Sequence, residues 1–276
     1  MIKRVLVPVD GSDEANIGAH YAVSLAKRCG ATLLGLHVVD IKLLEGPLLR
    51  DISASLGTAP YVNYQGNIAM ILEERGKAAL KAFEDACKDA GVPSKTEQVT
   101  GIVTRAILEK GELADLIVMG RSGEHGPWLE GLVGSTTEAV VRRARQPVLI
   151  TAVAAFKGSR FVVAYDGSHH ANKAVQTAAT LAAEWRMDCH VLAVGGKKVA
   201  ALLEEAKAYL QAHAVAAQYV TREGDPSEAI VAYAAECQAD LLIMGAYGHT
   251  KVRELVVGST TAYAVNHAPC PVLLTR

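Results

Sequence analysis

VGSTTEAVVRRARQPVLIT, residues 133–151, returns as VGSTTAYAVNHAPCPVLLT, residues 257–275. Two more landmarks recur in the same order. ADLIVMGRSG starts at Ala114 and ADLLIMGAYG at Ala239, while VLVPVDGSDEA starts at Val5 and FVVAYDGSHHA at Phe161. A fixed order of three landmarks in 276 residues marks one domain present twice, not a short solenoid repeat. The expected domains are residues 1–152 and 160–276, joined through the short stretch Ala152 to Ser159. The copies are unequal: Asp10 to Gly120 spans 110 positions and Asp166 to Gly245 spans 79. The excess of 31 falls after the second strand, where Ile41 to Gly66 reads as a long excursion and the second copy has only Gly195 to Lys198.

Around these landmarks short apolar runs alternate with amphipathic stretches. KRVLVPVD, TLLGLHVVD, TEQVT, DLIVMG and PVLIT read as strands. Between them, NIGAHYAVSLAKRCG is a helix closed by Gly30, a long helix starts near Ile68 and ends at Gly91, a third starts near Thr104, and a fourth follows GSTT. In the second copy Asp225, Pro226 and Glu228 stand as N-cap, first and third residues of a helix. Strands of this kind separated by helices predict a parallel sheet covered on both faces. The fold class is therefore α/β, with two tandem doubly wound domains of about five strands each.

Composition fits and excludes. Half of the residues are hydrophobic, only 5% are aromatic, and the mean hydropathy is +0.19. Such a chain builds its core from aliphatic side chains. With 28 basic and 29 acidic residues the net charge is −1, which favours neither nucleic acid nor an anionic membrane. Pro8 and Asp10 interrupt any signal-peptide pattern, and no apolar run reaches the roughly 18 residues of a membrane span. Five scattered cysteines without CxxC read as reduced thiols, so a cytoplasmic location is expected.

In an open α/β sheet ligands bind beyond the carboxyl ends of the strands. The first copy places Pro8, Val9 and Asp10, then Val39, then Met119, Gly120 and Gly123 at such ends. The second places Ala164, Tyr165 and Asp166, then Val194, then Met244, Gly245 and Gly248. Gly245, Gly248 and Gly258 stand in G-x2-G-x9-G-S. Glycines there allow positive φ and close approach of N–H groups to a ligand, and the helix opened by GSTT can seat a phosphate. Gly134, Ser135 and Thr136, and Gly258, Ser259 and Thr260, are the residues concerned. Competing structural readings exist. Ser135 with Glu138 forms a capping-box pattern, although Ala262 replaces the glutamate in the second copy, and Asp10 and Asp166 before Gly-Ser suit plain turns. Arg121 suits a phosphate or solvent. Arg142, Arg143 and Arg145 complement a helix C-terminus, His169, His170 and His249 read as loop histidines, and Trp185 as packing.

VPVDGS and AYDGS, MG-x2-G, the GST helix start and the closing PVLIT and CPVLLTR together resemble the universal stress protein family, in a tandem form of two fused universal stress domains. The resemblance covers nearly the whole chain. It implies an adenine nucleotide alpha hydrolase-like, Rossmann-like fold and a stress-response regulatory protein that binds ATP, with or without Mg. It implies that adenine lies near Asp166 and Val194, with ribose and phosphates on Gly245, Gly248, Gly258, Ser259 and Thr260. In the first copy the corresponding residues are Asp10, Val39, Gly120, Gly123, Gly134, Ser135 and Thr136. Ten residues separate Gly123 from Gly134 against nine in the second copy, so the second copy is the more regular match and ATP is expected to bind more securely there than in the first. The last strands begin after Pro147 and Pro271, as edge strands permit, and the family pairs through them. An intramolecular pseudo-dimer is implied, and a homodimer beyond it.

Other functions have less support. Walker A and G-x-G-x-x-G after strand one are absent, as is an SGG-type loop, and no nucleophile–base pair demands catalysis. Slow ATP hydrolysis, autophosphorylation on the GSTT segments, and a ligand-free assembly module are the alternatives. A response-regulator receiver needs an Asp ending strand three, which neither TEQVTG nor YVTREG supplies.

Overall fold

The computed structural model describes residues 2–45, 61–123, 133–151, 157–196, 199–247 and 258–276. The first copy runs β1 (Arg4–Pro8), α1 (Asp13–Cys29), β2 (Thr32–Asp40), α2 (Ile41–Glu45), α3 (Tyr61–Ala90), β3 (Ser94–Gly101), α4 (Val103–Gly111), β4 (Leu116–Gly120), α5 (Ser135–Arg143) and β5 (Val148–Thr151). The second runs β6 (Arg160–Ala164), α6 (His169–Trp185), β7 (Asp188–Val194), α7 (Val199–Ala212), β8 (Ala217–Arg222), α8 (Pro226–Glu236), β9 (Leu241–Gly245), α9 (Ser259–His267) and β10 (Val272–Thr275).

The strands form one ten-stranded sheet ordered β3-β2-β1-β4-β5-β10-β9-β6-β7-β8. Within each copy all pairings are parallel. Strand order reverses between β1 and β4, and again between β6 and β9, so each copy has its switch point there. β5 and β10 pair antiparallel, with Leu149 opposite Leu273 and Ile150 opposite Val272. Leu149 and Leu273 are equivalent residues, so the local two-fold passes through them. Each last strand is the edge of its own copy, and joining the two makes them the centre of the sheet. The prolines do not interrupt the ladder because they precede it. Their carbonyls accept from the N–H groups of Ile117 at 3.1 Å and Leu242 at 2.9 Å.

Alternation along the strands sorts the core into two layers. Val5, Val7, Val118, Leu149, Val163 and Leu273 face α1, α3, α6 and α7, whereas Leu6, Ile117, Ile150, Val162 and Leu242 face α4, α5, α8 and α9. Both layers run continuously through the two copies. Asp115 and Asp240, the aspartates of the repeated Ala-Asp pair, tie the switch strands together. Asp115 Oδ2 accepts from the N–H groups of Lys3 and Arg4, and Asp240 Oδ2 from those of Ser159 and Arg160.

Local signals agree in several places. Gly30 closes α1, its N–H reaching the Ala26 carbonyl at 2.8 Å, and Asp225 caps α8 through the N–H groups of Ser227 and Glu228. Trp185 is buried in the core. The excursion after strand two needs correction. Ile41–Glu45 is helical, and α3 begins at Tyr61, not near Ile68. Asn63, Gly66 and Asn67 are weak helix formers, yet the helix continues through them because elongation adds one hydrogen bond per residue once the turn exists. α3 lies on β2 through Phe83, whose ring occupies the space a Cβ at Gly35 would need.

All five cysteines are free. Burial pushes the thiols of Cys189 and Cys270 up to about 12, so they stay protonated and act as small apolar groups.

Candidate functional site

The first loop at the switch point is built by Asp-Gly-Ser. Asp10 Oδ1 accepts from the N–H of Ser12 at 2.9 Å and from its hydroxyl at 2.6 Å. Ser12 then caps α1 by accepting from the Ala15 N–H at 3.2 Å. The second copy repeats this, with Ser168 N–H donating to Asp166 Oδ1 at 2.9 Å and Ser168 capping α6. Turn formation thus accounts for one carboxylate oxygen. The other oxygen of Asp10 faces the loop after β4, where a Cβ added to Gly123 would lie 2.6 Å from Oδ2.

Positive φ appears at Gly11 (+87°) and Gly167 (+77°), inside these turns, and not at Gly120, Gly123, Gly134, Gly245 or Gly258. Of the two freedoms that glycine allows there, close approach is the one in use at Gly120 and Gly245. Gly120 and Gly245 serve close approach of a helix. A Cβ at Gly120 would lie 2.5 Å from the Glu14 carbonyl oxygen in α1, and one at Gly245 2.7 Å from His170 Cβ in α6.

The capping-box reading of Ser135 is also corrected, because Gly134 is the N-cap and Ser135 the first helical residue. What holds both GSTT segments is their second threonine. Thr137 Oγ1 donates to the Gly120 carbonyl at 3.2 Å and Thr261 Oγ1 to that of Gly245 at 3.1 Å. Ser135 and Ser259 are exposed beside them. The repeated segment therefore combines a structural threonine with an open helix N-terminus.

In the first copy these pieces surround a cavity of about 240 Å³. Pro8, Val9, Asp10, Val39, Met119, Gly120, Gly123, Gly134, Ser135 and Thr136 all line it. Sequence reasoning missed Val103 and Ile107 from α4 and Leu72 and Arg75 from α3, which close its sides. Their helical periodicity was visible, but not which helix crosses the crevice. Val9, Val39, Val103, Ile107 and Met119 give it an apolar wall, while Asp10, Ser122, Ser135 and Thr136 bring polar atoms to it at the same carboxyl ends of β1 and β4 and at the start of α5.

The second copy assembles Ala164, Tyr165 and Asp166 at the end of β6, Val194 at the end of β7, Met244 and Gly245 at the end of β9, and Gly258, Ser259 and Thr260 at the start of α9. Gly248 and His249 lie outside the described residues. The register corrects one correspondence. Leu36 pairs with Pro8 and Leu192 with Ala164, so Val194 matches Val38 and Gly195 matches Val39. The copies also differ over the first loop. Ala79 Cβ would stand 3.6 Å from a Cβ at Gly11, but Leu202 Cδ2 would stand 2.7 Å from one at Gly167. Tyr165 replaces Val9 and donates its hydroxyl to Asn172 Oδ1 at 2.8 Å. The sequence favours the second copy, whereas the cavity described here belongs to the first.

Remaining candidates find structural places. Arg121, half-buried, donates to the Asn266 carbonyl of the other copy at 2.9 Å. Arg142 and Arg143 occupy the last turn of α5. Among the described residues no group of three or more His, Cys, Asp or Glu side chains is placed to hold a metal ion. None of the described helices is long and apolar enough to cross a membrane.

The fold is that of a tandem open α/β protein with a switch point in each copy, the first of which holds the crevice. The universal stress protein family model matches residues 1–152 and again residues 159–276, and the chain belongs to that family. The universal stress protein Slr1230 of Synechocystis sp. is 29% identical over 288 residues, covering 100% of both chains. The universal stress protein MJ0531 of Methanocaldococcus jannaschii is 33% identical over 153 residues, covering 54% of this chain and 82% of that one. A crystal structure of a universal stress protein from Archaeoglobus fulgidus superposes with a TM-score of 0.78 at 20% identity, covering 99% of this chain and 98% of that one, a likeness of fold.

Proposed function

We propose that this universal stress protein binds an adenine nucleotide, ATP with or without Mg, in the crevice of its first domain and acts as a nucleotide-responsive regulator. The observation that carries this reading is the cavity, because residues singled out at four separate places in the sequence meet around it. Its apolar wall suits a base, with Asp10 beside it as an acceptor for ribose or base N–H groups. Gly123 lacks the side chain that would fill the polar end, and Ser135 and Thr136 offer hydroxyls at the positive end of α5. The matching residues Asp166, Val194, Gly245, Gly248, Gly258, Ser259 and Thr260 form a proposed second site. Because β5 and β10 already pair with each other, a homodimer must use a different surface.

Calorimetric titration of the full chain with ATP tests this. An acidic residue in the first turn of a helix does not disfavour the helix, but it repels a phosphate placed there. Ser135→Asp is therefore expected to fold normally and to weaken the first site by about tenfold or more. Ser259→Asp reports in the same way on the second site. Wild-type protein that gives no saturable heat, or Ser135→Asp and Ser259→Asp chains that bind as wild type does, would overturn the proposal.

A further inference from the structure

Arg121 and Arg276 are far apart in sequence, yet their guanidinium groups end on equivalent atoms. Arg121 Nη1 donates to the carbonyl of Asn266 in α9, and Arg276 Nη1 to the carbonyl of Arg142 in α5. Arg142 and Asn266 hold the same place in the repeat, in the last turn of the helix that GSTT opens. Carbonyls there have no partner within the helix, and a cation there complements the dipole. Each arginine belongs to the opposite copy from the helix it holds.

Each is also wired to the nucleotide end of its own copy. The Arg121 carbonyl accepts from the N–H of Gly134, the N-cap of α5, at 3.0 Å, and the next residue, Ser122, lines the cavity. In the second copy Ala246 takes the place of Arg121. Its carbonyl accepts from the Gly258 N–H at 3.4 Å, but its side chain cannot reach the other domain. Arg276 supplies the missing group. It follows Thr275, whose carbonyl accepts from the Ala246 N–H at 2.9 Å, and its guanidinium lies 5.9 Å from the ring centre of Tyr247.

We infer that Arg121 and Arg276 are positioning residues that couple the two nucleotide sites, each linking the loop at one site to the C-terminus of the helix whose N-terminus forms the other. The inference rests on the nucleotide reading above and adds the regulation of those sites. Occupancy of the first site orders Ser122 and Gly123, steadies Arg121, and through Asn266 steadies α9. Linkage makes the effect reciprocal, with Arg276 as the return path.

The test uses the full Ser259→Asp chain, in which ATP is confined to the first domain, and follows amide exchange in the second. Saturating ATP is expected to slow exchange over residues 259–267 by about fivefold. Adding Arg121→Ala should abolish that protection at ATP concentrations chosen to saturate the first site. In the Ser135→Asp chain, ATP should likewise protect residues 135–143 until Arg276→Ala is added. ATP that binds without protecting the opposite helix, or protection that survives both arginine substitutions, overturns the coupling and leaves the nucleotide reading standing. Absence of ATP binding in wild type overturns both.

Discussion

Leu273→Asp is expected to lower the unfolding free energy by about 4 kcal/mol or more, enough to leave much of the chain unfolded at moderate temperature. Leu273 is 1% exposed and stands opposite Leu149 at the pairing of β5 with β10. An aspartate there either buries an unpaired charge or shifts its pKa far upward to remain neutral, and both are costly. Both core layers run through this seam, so the damage reaches both domains. Urea denaturation followed by circular dichroism measures the loss. Leu113→Asp is the control, at a site 73% exposed where a polar substitution changes little. A loss below about 1 kcal/mol for Leu273→Asp would mean that the two copies do not share this sheet.

Gly120→Ala is the second large effect, and its sign runs against ordinary expectation. Removing a glycine usually stabilises by restricting the unfolded chain, by about 0.4–1 kcal/mol. Here the added methyl would meet the backbone of α1, 2.5 Å from the Glu14 oxygen and 2.7 Å from its carbonyl carbon. Backbone cannot rotate away, so α1 must lift from the end of β4, at a cost of about 1–3 kcal/mol. Because the same shift displaces Asp10 and Ser12, ATP affinity should fall along with stability. Thermal unfolding with and without ATP checks both. A variant as stable as wild type, with unchanged affinity, would contradict the assigned role of Gly120.

Much of this was legible because it is local. Asp225-Pro226 announces a helix start through its own backbone, and Gly30 a helix end. The repeat itself exposed the duplication, and the alternation of apolar runs with amphipathic ones exposed the parallel sheet. What escaped depends on partners distant in the chain. Thr137 reads as one more hydroxyl of GSTT until Gly120, 17 positions earlier, is placed beneath it. Gly120 reads as a ligand glycine until α1 is laid across it. The glycines that do need positive φ, Gly11 and Gly167, sat in the turn that seemed the plainer of the two loops. Arg121 was equally ambiguous, since its acceptor lies 145 positions away in the other copy.

Joining β5 to β10 within one polypeptide frees the partnership from mass action. Two separate chains meeting along this strand would part on dilution, while tethered halves see each other at an effective concentration of roughly millimolar order. A self-associating chain must also carry every substitution twice, once on each side of its axis. Fusion lifts that symmetry requirement. One half can keep Val9 on an open crevice and the small Ala79 beside its Gly11 turn, while the other has Tyr165 in place of Val9 and Leu202 against the turn at Gly167. The seam thus lets a pair of like domains become unlike without losing each other.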